Sequence, residues 1–243
     1  MNLNTHFQNS VGTSDALTNI TNPAESGLTI YVDGSSLDNP GPAGWAVLVQ
    51  YPDGTQRTAS GGAEVATNNQ MELQAATEGL RAVPADATGV MRTDSEYVSK
   101  GLNVWSKGWI KRNWTTAQGK PVANGAQWRE LLSIAAQRPG IRVEWVRGHN
   151  GTEGNETVDR LARDEATKRR VGGMLEGIEI TPPTTTDGDC SEAQRMAEKI
   201  TAVLGPAERI NHEVMAAALS EYLGDARPAL VMAMQKLRGA SRV

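Results

Sequence analysis

Residues 28–170 run strand, hairpin, strand, and then alternate helical and extended patterns; no other feature of the chain limits its fold so tightly. Leu28–Asp33 is an apolar strand and Trp45–Tyr51 a second, with Asn39-Pro40-Gly41-Pro42-Ala43-Gly44 between them as a turn. Pro52-Asp53-Gly54 reverses the chain into a third strand over Thr55–Gly61. Leu73, Ala76, Leu80 and Val83 fall on one face of a 3.6-residue period, which predicts a helix from Asn68 to Val83 with Asn68 or Asn69 as N-cap. Gly89–Asp94 is a fourth strand, followed by a short helix from Ser95, a helix over Gly125–Gln137 and a fifth strand over Ile141–Val146. A last helix over Glu153–Lys168 turns Val158, Leu161 and Ala162 inward. A hairpin joined to strand–helix–strand crossovers gives an α/β fold, a five-stranded mixed sheet flanked by helices.

The rest of the 243 residues is organised differently. Residues 1–27, polar and rich in Asn, Thr and Ser, read as a flexible lead-in to the domain at 28–170. Residues 171–190, ending in TPPTTTDGDC, read as a linker. Residues 191–243 carry three short amphipathic helical patterns, expected to form a small helical region that docks on the chain or takes a protein partner. No apolar run reaches the ~20 residues of a membrane span. The opening MNLNTHFQNS has neither the basic cluster nor the apolar stretch of a secretory signal. The single cysteine, Cys190, excludes an internal disulfide and a cysteine zinc cage, so a cytoplasmic location is expected.

A net charge of −4 argues at first against a polyanionic partner. The uneven distribution leaves net charge deciding little, because residues 28–170 are near balance and residues 105–120 hold Lys107, Lys111, Arg112 and Lys120 without an acid. Four of the six tryptophans fall within 105–128. In WSKGWIKRNW they interleave with the cations, a pattern suited to phosphates and sugars. Trp105 and Trp128 are expected to pack this segment onto the body, leaving Trp109 or Trp114 for substrate.

Four carboxylates occupy telling positions. Asp33 and Asp94 end apolar strands, while Glu72 and Asp159 lie near the starts of helices. Such positions meet at one edge of an α/β sheet. Carboxylates gathered there repel unless a hard cation neutralises them, and oxygen-only ligation suits Mg²⁺ or Mn²⁺ rather than Zn²⁺. The chemistry this favours is phosphoryl transfer at two ions about 3.5–4 Å apart.

Four segments, YVDGSSLDNPGPAG at 31–44, TNNQMELQA at 67–75, RTDSEYV at 92–98 and VRGHNGTEGNETVDRLA at 146–162, resemble in order and spacing the signatures of type 1 ribonuclease H of the bacterial kind. The resemblance spans about residues 28–170 and leaves the C-terminal region unmatched. It implies an endonuclease that hydrolyses the RNA strand of RNA–DNA hybrids, leaving 5′-phosphate and 3′-hydroxyl ends, with the removal of RNA primers and R-loops as its duty. It implies that Asp33, Glu72, Asp94 and Asp159 are the metal ligands and that His149 moves protons or product. Gly34, Ser35, Asn39, Asn68, Asn69 and Glu72 match positions that read the hybrid, and Thr67 and Asn39 match positions that hold a DNA phosphate. Lys107, Trp109, Lys111, Arg112 and Trp114 match the basic protrusion that grips the DNA strand. With only Lys120 in Thr115–Pro121, that grip is expected to be weak. Glu96 stands where some relatives carry a glutamine that meets RNA, and is expected to face solvent. Asn155 is expected to cap the last helix or, failing that, to touch product.

Overall fold

The computed structural model describes residues 6–10, 27–148 and 151–175. The chain divides into two units, Met1–Ala166 and Thr167–Val243. The helical region expected over 191–243 lies outside the described residues, as do His149 and the linker expected over 171–190 apart from its first five residues, which are helical.

Six strands form one sheet in the order β1-β4-β3-β2-β5-β6. β2 (Leu28–Ser36), β3 (Gly41–Gln50) and β4 (Gln56–Ala66) form an antiparallel meander. β5 (Gly89–Thr93) and β6 (Ile141–Trp145) join it in parallel, giving the expected five-stranded mixed sheet. The sixth strand, β1 (His6–Ser10), lies within the segment expected to be a flexible lead-in and is not foreseen: it pairs antiparallel with the outer edge of β4. The sequence HFQNS hides this, because an edge strand added through backbone hydrogen bonds needs no apolar alternation of its own. The turn expected over 39–44 is also shorter than its glycines and prolines suggest. β3 begins at Gly41 and absorbs the Pro-Ala-Gly stretch through a register shift between Gly41 and Ala43.

The period-2 rule places two cores on the two faces of this sheet. Ile30, Val32, Trp45, Val47 and Val49 face α1 (Asn68–Arg81) and α4 (Gly125–Ala136), together with Leu73, Leu80, Trp128 and Leu131. Their neighbours Tyr31, Ala46 and Leu48 face α5 (Glu153–Leu175), meeting Val158 and Ala162. Leu161, expected inward, packs on this second core but is only partly buried. α5 runs past the expected end at Lys168, through Gly172-Gly173, where glycine's low helix propensity made a stop the natural reading.

Thr67, not Asn68 or Asn69, is the N-cap of α1. Its hydroxyl accepts from Gln70 N at 3.3 Å, while Gln70 Oε1 accepts from Thr67 N at 2.8 Å. This T-x-x-Q capping box satisfies two orphan amides at once and so wins over a lone asparagine. After β5, α2 (Glu96–Lys100) is capped by Ser95 and passes through a π-helical turn (Gly101–Trp105) into α3 (Ser106–Lys111). Gly101 is required there, because a Cβ would lie 1.9 Å from the ring of the buried Trp128.

Candidate active site and substrate surface

Asp33 sits near the C-terminal end of β2, Asp94 immediately after β5, and Glu72 in the second turn of α1. The parallel pairing of β2 with β5 brings the first two together. Gly34 brings in the third: a Cβ there would stand 2.2 Å from the Glu72 amide nitrogen, so only glycine lets the strand end touch the helix. Each of the three carboxylates offers an oxygen such that all lie within 4.8 Å of one another.

The cluster is electrostatically costly as it stands. Asp33 and Glu72 are both buried at 6 % exposure. Burial, with the charges of Asp94 and Asp159 added, pushes the Asp33 carboxyl from 3.8 up to about 7. Burial, then Asp33 and Asp94, holds Glu72 well above the usual carboxylate range. Glu72 Oε2 is buried without a hydrogen-bond partner. Among the described residues no salt bridge joins these three acids to a cation. Three converging carboxylates, one with an orphaned oxygen, fit a hard divalent cation and fit little else.

Asp159 stands close enough to raise Asp33, yet it is compensated, since Arg163 Nη2 pairs with it at 2.9 Å one turn along α5. Asn155 does not cap α5. It is buried in the helix, where its Nδ2 donates to Asp94 Oδ2 at 3.1 Å. The indole of Trp145, from β6, donates to the Asp94 main-chain carbonyl at 2.9 Å. Neither partner of Asp94 is evident from sequence, although Asn155 lies four residues before Asp159 and hence on the same helical face.

Beside the acids, Asn39 and Asn68 are brought together: Asn39 Oδ1 accepts from Asn68 N at 2.9 Å, and Asn68 Oδ1 accepts from Ser36 N at 3.0 Å. Ser36, which carries no signal of its own in the sequence, ties this group down through Asn39 N to Ser36 Oγ at 3.2 Å and Ser36 Oγ to Ala66 O at 2.8 Å. Asn69 is exposed, and Ser35 and Thr67 are half-buried alongside.

The protrusion after α2 is built on stacked aromatics. Trp128 is fully buried; Tyr97 and Trp109 meet it edge-on at 5.2 and 5.1 Å, and its indole donates to Tyr97 Oη at 2.8 Å. Trp109 is buried, at 9 % exposure, whereas Trp105, expected to pack inward, is 38 % exposed. Trp114 is half-buried with the Arg129 guanidinium 4.4 Å over its ring. Lys107, Lys111 and Arg112 are all exposed. Glu96 faces solvent, as expected, and pairs with Lys100 at 2.6 Å.

The family model that matches the chain is described as RNase H and covers residues 25–167. The chain belongs to the ribonuclease H family. A ribonuclease H from Xanthomonas oryzae pv. oryzae is 48 % identical over 145 residues, 60 % of this chain and 95 % of that protein. One from Chromohalobacter salexigens is 47 % identical over 135 residues, covering 56 % and 81 %. Among solved structures, a type 1 RNase H with the type 2 active-site motif superposes with a TM-score of 0.53 at 30 % identity, over 61 % of this chain and 76 % of that one. The protein is thus an enzyme of a metal-dependent ribonuclease family, and the acidic cluster lies inside the matched region. No helix among the described residues is long and apolar enough to cross a membrane.

Proposed function

We propose that Asp33, Glu72 and Asp94, joined by Asp159, hold two Mg²⁺ ions and that the enzyme hydrolyses the RNA strand of RNA–DNA hybrids. The observation that carries this reading is the convergence of three carboxylates within 4.8 Å, two of them buried, in a chain of this family. When bound, divalent cations supply Lewis-acid polarisation of the scissile phosphate and ease deprotonation of a water. The protein's own contribution is to have the ligands in place before substrate arrives. Water attacks phosphorus, the P–O3′ bond breaks, and the products carry 5′-phosphate and 3′-hydroxyl ends. His149, which follows β6 and precedes α5 in the sequence, is assigned the proton leaving the water or reaching the 3′ oxygen, for which an imidazole is suited near neutrality.

Gly34, Ser35, Asn39, Asn68 and Asn69 border the acids and are assigned to the groove of the hybrid, where the 2′-hydroxyl distinguishes RNA from DNA. Thr67 and Asn39 take a DNA phosphate. Lys107, Lys111 and Arg112 meet further phosphates, with Trp109 and Trp114 supporting the surface they project from. The enzyme works in the cytoplasm on RNA primers and R-loops, and residues 191–243 serve as a docking region for a protein partner.

The test uses full-length protein and a hybrid labelled on either strand. Cleavage of the RNA strand alone, in Mg²⁺ and not in excess chelator, is the expected result. Equal cleavage of duplex DNA, or cleavage that persists in chelator, contradicts the proposal.

A further inference from the structure

Asn155 is the one uncharged side chain seen to bind a carboxylate of the acidic cluster directly, among the described residues. It is 2 % exposed, in the first turn of α5. Its amide is oriented by chemistry: an ionised carboxylate can only accept, so the nitrogen must face Asp94. The other end of the same amide, Oδ1, is buried and has no partner. A buried amide oxygen without a donor is costly, and helices rarely carry one beside charged groups without a reason. On the far side of the contact, Gly148 crowds the same carboxylate oxygen, since a Cβ there would stand 2.7 Å from Asp94 Oδ2. Asp94 Oδ2 is therefore held by Asn155 and closed in by a glycine.

Resting on the function proposed above, we infer that Asn155 is a positioning residue with two duties. Its Nδ2 fixes the rotation of the Asp94 carboxyl, so that the other oxygen is presented to the cation. Its Oδ1 accepts a hydrogen bond from a water drawn into the cluster when a cation enters. The stability lost to the orphaned oxygen in the cation-free protein is the counterpart of its use when the site is filled.

Asn155→Leu keeps the volume and removes both polar groups together. Calorimetric titration of full-length protein with Mg²⁺, without substrate, is the primary readout. Loss of a ligand's supporting hydrogen bond should weaken Mg²⁺ binding by about 10- to 100-fold. In chelator, the thermal midpoint of Asn155→Leu should stay near that of the unaltered protein, because removal of the unpaired oxygen is offset by loss of the bond to Asp94. Hybrid binding in chelator should be unchanged. Mg²⁺ affinity within about twofold of the unaltered protein overturns the assignment, whatever happens to the midpoint. Should the leucine variant not fold, Asn155→Ala carries the same titration. Absence of Mg²⁺ binding by the unaltered protein would instead sink the proposed function, so the two failures are distinguishable.

Discussion

The acidic edge and the basic protrusion handle charge in opposite ways. At the edge, carboxylates are buried against one another, and two of them are driven toward protonation. In the protrusion, apolar rings are packed inward and the cations stay in water. The first region is incomplete without a ligand; the second is complete without one. Preorganisation for a cation is stored as local instability, while a phosphate grip needs only a firm platform under long, solvated side chains.

That contrast is broken most severely by Asp94→Asn. Activity should fall about a thousandfold or more, since the change removes several kcal/mol of charge stabilisation from one ligand, while hybrid binding in Ca²⁺ persists. Steady cleavage by the purified variant is the contrary outcome. In the protrusion the comparable blow is structural. Trp128→Ala should cost about 3–5 kcal/mol of stability, measured by urea unfolding, because it empties the centre of the aromatic stack.

pH sharpens the comparison further. Asp33 and Glu72 have folded-state pKa values raised above those of the unfolded chain. Their contribution to stability is fully present below the ordinary carboxylate range and is lost as pH rises from about 4, through about 7 for Asp33, with Glu72 shifted in the same direction. In chelator the thermal midpoint should therefore drop by several degrees between pH 5 and pH 8, and Mg²⁺ should restore most of it at pH 8. Asp33→Asn should flatten the profile, and an unchanged slope in that variant would place the effect elsewhere. The smallest effects belong to the exposed cations. Lys107→Ala and Lys111→Ala should each weaken hybrid binding by less than about tenfold and lower the salt slope by about one, leaving the rate at saturating hybrid unchanged.

Much of this was legible in the chain. Alternation along β2 and β3 and the helical period of α1 encode the core directly, and residues at strand ends must meet at a sheet edge, so the acidic cluster could be read. What escaped depended on contacts distant in sequence. The capping box at Thr67 frees the Asn68 side chain to bind Ser36, and the Asn155–Asp94 and Trp145–Asp94 bonds join segments 61 and 51 residues apart. Trp105 and Trp109 differ in exposure because the π-helical turn rotates the residues beyond it, a step that no regular period foretells. β1 was hidden for a different reason, since an edge strand can pair through its backbone without an apolar pattern of its own.

Central to the proposed function is the joint hold of Asp33, Glu72 and Asp94 on divalent cations. It is tested most directly by titrating Mg²⁺ into full-length protein near pH 7 in buffers of different ionisation heat. Saturable binding accompanied by proton release is expected, because part of the Asp33 population must deprotonate, with both signals lost in Asp33→Asn and Glu72→Gln. Binding of equal strength in those variants would contradict it.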